Sequence, residues 1–223
     1  LSDERFDDDA SLELPPWSTI TRGYHERFTR PFRFQTPQAS LVIKQAVTAS
    51  PGHSQEAKAS ADGLATGATV WDAGVVLAEW IVSRPPLLAA RAGGAVLDLG
   101  SGTGVVGLAA AASGAFRRVV LTDLLSVLPL LEANAHANLD ALRADVHVLP
   151  LRWGCADDEE RVRALGPYDV VVGGDLLYRP QVVQPLLTAL SAVCSPQTVI
   201  VLAASMLHSP ETLRLFSSSA RAR

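Results

Sequence analysis

Apolar and polar positions change rhythm several times along the 223 residues, and those changes mark out the elements. Short apolar runs bounded by turn residues predict strands at Ala95 to Leu99, Val119 to Thr122, Asp145 to Leu149, Tyr168 to Gly173 and Thr198 to Ala203. Between them, apolar residues recur at helical spacing over Val105 to Ala112, Leu125 to Asn138 and Gln181 to Val193, with a shorter helix over Asp157 to Leu165. A further helical stretch, Val70 to Val82, stops before Arg84, Pro85 and Pro86. Strands alternating with helices predict an α/β fold with a doubly wound, mostly parallel sheet and helices on both faces. Ligands then belong at the carboxyl ends of the strands.

Upstream the rhythm is shorter. Phe28, Phe32 and Phe34 alternate with polar residues, and Leu41 to Ile43 follow a turn containing Pro37, which predicts a small N-terminal hairpin. Residues 1–16 carry Asp7, Asp8 and Asp9 and end in Pro15 and Pro16, the pattern of a mobile arm. Thr48 to Gly67 is rich in Ala, Ser and Gly and reads as a flexible connection. The chain therefore divides into residues 1–69 (arm, hairpin and loop) and residues 70–223 (the α/β domain). After the fifth strand, little apolar sequence is left to form more strands.

With 48% hydrophobic and 19% charged residues, the chain can bury one sizeable core. A formal net charge of -4 gives no general attraction to nucleic acid or an anionic membrane, so neither is an expected partner. Cys155 and Cys194 show no zinc-like spacing with the five histidines, so no metal is expected. Two distant cysteines suit a reduced intracellular setting, cytoplasmic and by extension nuclear. No apolar run approaches the roughly 18 to 20 residues of a membrane span.

The first predicted strand runs into Val96 to Gly104 (VLDLGSGTG) and then an alanine-rich helix, a turn whose backbone amides can face a ligand. Its glycines are spaced G-x-G-x-G, unlike the G-x-G-x-x-G of dinucleotide-binding folds, which argues against an NAD-dependent dehydrogenase. Asp98, two residues before Gly100, would repel a pyrophosphate and suit a cationic ligand such as S-adenosylmethionine. A tight strand-to-helix turn without a ligand is the structural alternative.

Asp123 closes the second strand about twenty residues later, where an acid accepts hydrogen bonds from ribose hydroxyls; the alternative is an Asp stabilised by the amides of a helix start. Trp153, after the third strand, offers a ring for stacking on adenine or a core anchor, and Trp71 poses the same choice with the core favoured. The fourth strand ends in Gly173, Gly174, Asp175, Leu176, Leu177 and Tyr178. An acid and a phenol three residues apart suit a substrate amine, whereas in a structural reading Asp175 caps the next turn and Tyr178 packs beneath it. Asn134 and Asn138 read as a polar helix face, His136 and His147 have no evident partner, and Asp157 to Glu160 reads as a solvated helix start.

Taken in order, these segments resemble class I, seven-strand S-adenosylmethionine-dependent methyltransferases with a Rossmann-like fold, and more narrowly the family-16 protein lysine methyltransferases. The resemblance runs through Pro31 to Phe34, Val70 to Ala73, Leu97 to Gly104, Thr122 with Asp123, Asn134 with Asn138, Trp153 with Gly154, and Gly174 to Tyr178. It implies that Trp71, Gly100, Ser101, Gly102, Asp123, Trp153 and Gly174 contact the cofactor, beside Asp98. Asp175 and Tyr178 become the family's D-x-x-Y motif, next to the methyl-accepting side chain. Methyl transfer to a lysine amine of a protein is then the expected activity, with a chaperone or an ATPase as the substrate type. A non-catalytic protein-interaction module and a small-molecule methyltransferase stand as alternatives. The family's sheet ends in an antiparallel hairpin after the fifth strand, which this sequence is not expected to supply.

Overall fold

Residues 31–45, 66–83, 86–205 and 210–222 are described by a computed structural model. The predicted arm, Phe28 and most of the predicted loop from Thr48 lie outside them. Phe32–Gln35 (β1) and Ser40–Ile43 (β2) form the expected antiparallel hairpin, with Phe34 opposite Leu41. Thr36 closes it: its hydroxyl oxygen accepts the amides of Gln38 (3.2 Å) and Ala39 (2.9 Å). Phe34, Leu41 and Ile43 turn inward and join the main core, so the hairpin is packed onto the α/β body.

All five predicted strands form, as Ala95–Leu99 (β3), Arg118–Asp123 (β4), Asp145–Pro150 (β5), Val170–Gly174 (β6) and Val199–Ala203 (β7). They make one parallel sheet in the order β5-β4-β3-β6-β7. The chain winds outward from β3 through β4 to β5, then crosses back to place β6 on the other side of β3. That reversal opens a crevice between the carboxyl ends of β3 and β6.

Strand residues alternate between two cores. Val96, Val119, Leu121, Val170 and Val172 face one core with the hairpin; Ala95, Leu97, Leu99, Val120 and Val171 face the other. The first face is covered by Asp72–Val82 (α1), Val105–Ala112 (α3) and Leu128–Ala137 (α4), with the short Pro86–Ala89 (α2) supplying Leu88. The second is covered by Ala156–Arg163 (α5), Val183–Val193 (α6) and Pro210–Arg221 (α7). Every residue of α3 is buried, which explains why its sequence shows no polar stripe.

Several boundaries differ from the sequence reading. Helix α1 starts at Asp72 rather than Val70, because Trp71 is extended (φ -88°, ψ 148°). Helix α4 starts at Leu128, with Pro129 in its first turn, and Leu124 and Leu125 stay exposed in the preceding turn. Helices α2 and α7 were not anticipated. In α7, Thr212 is fully buried and Leu213 and Phe216 pack on the second core, while Ser217 and Ser218 are exposed. Among the described residues no antiparallel strand joins the sheet, and β7 forms one edge with Ile200 exposed.

Candidate functional site

The crevice at the reversal point is a cavity of about 560 Å³. All ten residues singled out in the sequence line it: Trp71, Asp98, Gly100, Ser101, Gly102, Asp123, Trp153, Gly174, Asp175 and Tyr178.

The glycine turn forms one wall, and its shape is set by contacts that only glycine permits. Gly100 has φ +60°, and a Cβ there would lie 2.8 Å from Leu176 and 3.2 Å from the Trp153 ring. Gly102, at φ +55°, donates its amide to Asp123 Oδ2 at 2.7 Å. Ser101 spends its side chain on the scaffold: its hydroxyl donates to the Asp98 carbonyl (3.0 Å) and accepts the Thr122 amide (3.1 Å).

Asp98 is fully buried on the face shared with α3. Its Oδ2 accepts the Gly107 amide at 2.9 Å, an approach open because residue 107 has no Cβ, while Oδ1 has no hydrogen-bond partner. Burial pushes its pKa up to about 7; the Gly107 bond opposes the rise and the nearby Asp123 charge adds to it.

Half-buried Asp123 accepts from Gly102 and, through Oδ1, from its neighbour Leu124 at 2.7 Å. Two bonds leave two of its roughly four lone-pair positions for a ligand's hydroxyls. Burial raises its pKa as well, against the two amide bonds. Asp123 caps no helix, since α4 starts only at Leu128 and has no side-chain cap; its two bonds order the glycine turn, and it lines the cavity.

Both tryptophans line the cavity, and Trp153 alone also packs on a core. The Trp71 indole donates to the Thr66 carbonyl at 2.7 Å. Thr66 and Gly67, read as the end of a flexible loop, instead form a cavity wall, with the Gly67 carbonyl beside Gly102. Trp153 packs partly on the second core and partly on the cavity. Its turn is held by two acids that the sequence reading took for solvated: Asp158 accepts the Arg152 amide (3.0 Å) and Glu159 the Gly154 amide (2.8 Å). Both acids are buried.

The opposite wall follows β6. A Cβ at Gly174 would meet the Gly74 backbone at 2.8 Å, so these two glycines let α1 touch the strand end. Asp175 then takes φ +61°, a left-handed conformation at a non-glycine residue. Its amide donates to the Ala203 carbonyl (2.7 Å), and its Oδ1 accepts the Ser205 amide at 3.3 Å. The carboxylate thus ties to the end of β7 rather than capping the next turn. Tyr178 is 40% exposed, not packed beneath the turn, and the Arg179 guanidinium lies 5.7 Å from its ring centre. Arg179, Arg152 and Leu124 line the mouth and were missed, because exposed residues in turns carry no periodic signal. His147 does have a partner, Asp145 at 2.9 Å, while Asn134 and Asn138 are buried and fully engaged in hydrogen bonds. No group of three metal-ligating side chains occurs among the described residues.

Residues 54–218 match the family model described as lysine methyltransferase. Protein N-lysine methyltransferase METTL21A of Danio rerio is 36% identical over 141 residues, 62% of this chain and 61% of that protein. EEF1A lysine methyltransferase 3 of Mus musculus is 35% identical over 151 residues, 67% of this chain and 61% of its own length. METTL21A of Xenopus tropicalis is 33% identical over 158 residues, 70% of this chain and 68% of that protein. The chain thus spans about three fifths of the first of these relatives. In structure it resembles a candidate SAM-dependent methyltransferase from Streptococcus mutans, with TM-score 0.53 and 14% identity, over 86% of this chain and 46% of that one. That likeness is one of fold.

Proposed function

This chain belongs to the lysine methyltransferase family, and from that premise we propose that it transfers a methyl group from S-adenosylmethionine to a lysine side-chain amine of a protein. The observation that carries the reading is the facing of two unlike walls across one cavity: the glycine turn with Asp98 and Asp123, and the Asp175 to Tyr178 segment.

The cavity fits the cofactor by the chemistry of its donors and acceptors. Asp98 Oδ1 is a buried acceptor without a partner, suited to a cationic ligand. Asp123 has acceptor positions left for ribose hydroxyls, and Trp71 and Trp153 present ring surface to the cavity. When bound, the cofactor supplies an electrophilic methyl group on a cationic sulfonium.

The chain's own task is to position the amine. A free lysine has a pKa of about 10.4 and arrives protonated, yet only the neutral amine attacks. Asp175 receives the ammonium and orients it, although its negative charge also holds the proton on; its main contribution is therefore placement. Tyr178 shares one ring face with Arg179, which reduces its capacity to hold a second cation and favours a role as a wall or hydroxyl contact. EEF1A, named in the mouse relative, is the first candidate substrate; a chaperone or an ATPase is the next.

Transfer of labelled methyl groups to lysate proteins, with the acceptor residue located by mass spectrometry, tests the reading. Label on lysine that disappears with Asp175→Ala supports it. Label confined to small molecules, or cofactor binding without any transfer, would replace it with one of the two alternatives.

A further inference from the structure

Two asparagines four residues apart, Asn134 on α4 and Asn138 at its C-cap, grip the outer edge of the hairpin. Asn138 Oδ1 accepts the Val42 amide (2.8 Å) and its Nδ2 donates to the Val42 carbonyl (3.0 Å). Asn134 repeats the pattern on Lys44, at 2.8 and 3.0 Å. The spacing matches: four helical residues rise about 6 Å and two strand residues about 6.7 Å. The two side-chain amides thus take the place of a neighbouring strand on an edge that would otherwise be open.

This grip reaches the cavity by two routes. Asn134 is fully buried, and its Nδ2 also donates to the carbonyl of Thr103, in the glycine turn, at 2.9 Å. The next hairpin residue, Gln45, extends the other way. Its Oε1 accepts the Thr69 hydroxyl (2.8 Å) and the Val70 amide (2.9 Å), and both residues line the cavity on the Trp71 side. Lys44 and Gln45, consecutive in sequence, therefore connect to two separate parts of the cavity wall.

We propose that the hairpin is a strut of the cofactor cavity, with Gln45 and Asn134 as positioning residues that fix the Thr66 to Trp71 segment against the glycine turn. The inference rests on the cofactor reading above and adds that residues far from the glycine motif set cofactor affinity. Folding of the sheet does not require the Gln45 bonds, which join two connecting segments, so Gln45 separates positioning from stability.

Calorimetric titration with S-adenosylhomocysteine, paired with thermal unfolding, is the test. Gln45→Ala should weaken binding about tenfold, the effect of one or two lost hydrogen bonds, with a small change in unfolding midpoint. Gln45→Glu keeps an acceptor oxygen for both donors and should bind within about threefold of the parent. Gln35→Ala removes only a bond across the hairpin to Ser40 and should bind like the parent. In the transfer assay, Gln45→Ala should raise KM for S-adenosylmethionine with kcat nearly unchanged. Parent-like binding by Gln45→Ala would overturn the strut while leaving the cofactor reading intact, and so would failure of Gln45→Glu to rescue. Absence of binding by the parent chain would overturn both.

Discussion

The two walls of the cavity are built differently. On the β3 and β4 side, the carboxylates are fixed by backbone amides: Asp98 takes the Gly107 amide, Asp123 takes those of Gly102 and Leu124, and Ser101 ties the two strand ends together. On the β6 side, Asp175 holds a left-handed conformation, its carboxylate makes a long 3.3 Å contact to Ser205, and Tyr178 reaches into solvent. A wall whose groups are locked in advance suits a ligand of fixed shape. A wall with a strained acid and an exposed ring suits a side chain that enters, reacts and leaves.

The sharpest way to break this comparison is to remove the acid from the open wall. Asp175→Ala should lower methyl transfer by about a hundredfold or more, because placement of the amine is lost. Asp175→Gly should do the same while raising the unfolding midpoint, since glycine adopts φ +61° without strain. Transfer preserved in either variant would remove Asp175 from the mechanism.

Gly100→Ala attacks the locked wall. The left-handed φ and a Cβ 2.8 Å from Leu176 predict a stability loss of about 1–3 kcal/mol, read from denaturant unfolding, together with weaker cofactor binding. Trp153→Ala should cost about 1–3 kcal/mol in cofactor affinity, the worth of a base stacked on an aromatic ring, and Trp153→Phe less.

The pH dependence sharpens the contrast further. Folded Asp98 holds its proton to about pH 7, whereas in the unfolded chain it loses it near the ordinary carboxylate value of 3.8. Between those values the folded state binds more protons, so Asp98's contribution to stability is complete at low pH and falls as pH rises toward 7. Asp98→Asn should flatten that part of the stability profile, measured by unfolding at a series of pH values. A slope unchanged in the variant would assign the effect elsewhere.

The same contrast explains what the sequence disclosed. The glycine turn was legible because its strand, acid, glycines and helix are contiguous, and the parallel sheet because each strand is a short apolar run. Residues whose partners are remote in sequence were not legible. Asn134 and Asn138 looked like a polar face since the hairpin that uses them is about 90 residues away: Lys44 and Asn134 are separated by 90 positions. Asp158 and Glu159 looked solvated for a related reason: their role lies in the turn before their helix, which periodicity does not describe. Helix α7 was passed over because its three serines mask an apolar stripe as narrow as Leu213 and Phe216.

Calorimetric titration of the parent chain, Asp123→Ala and Asp175→Ala with S-adenosylhomocysteine tests the division of labour most directly. The parent should bind, Asp175→Ala should bind within about threefold of it, and Asp123→Ala should lose about tenfold or more. The reverse order, with Asp175→Ala losing the cofactor and Asp123→Ala keeping it, would contradict the assignment of the two walls.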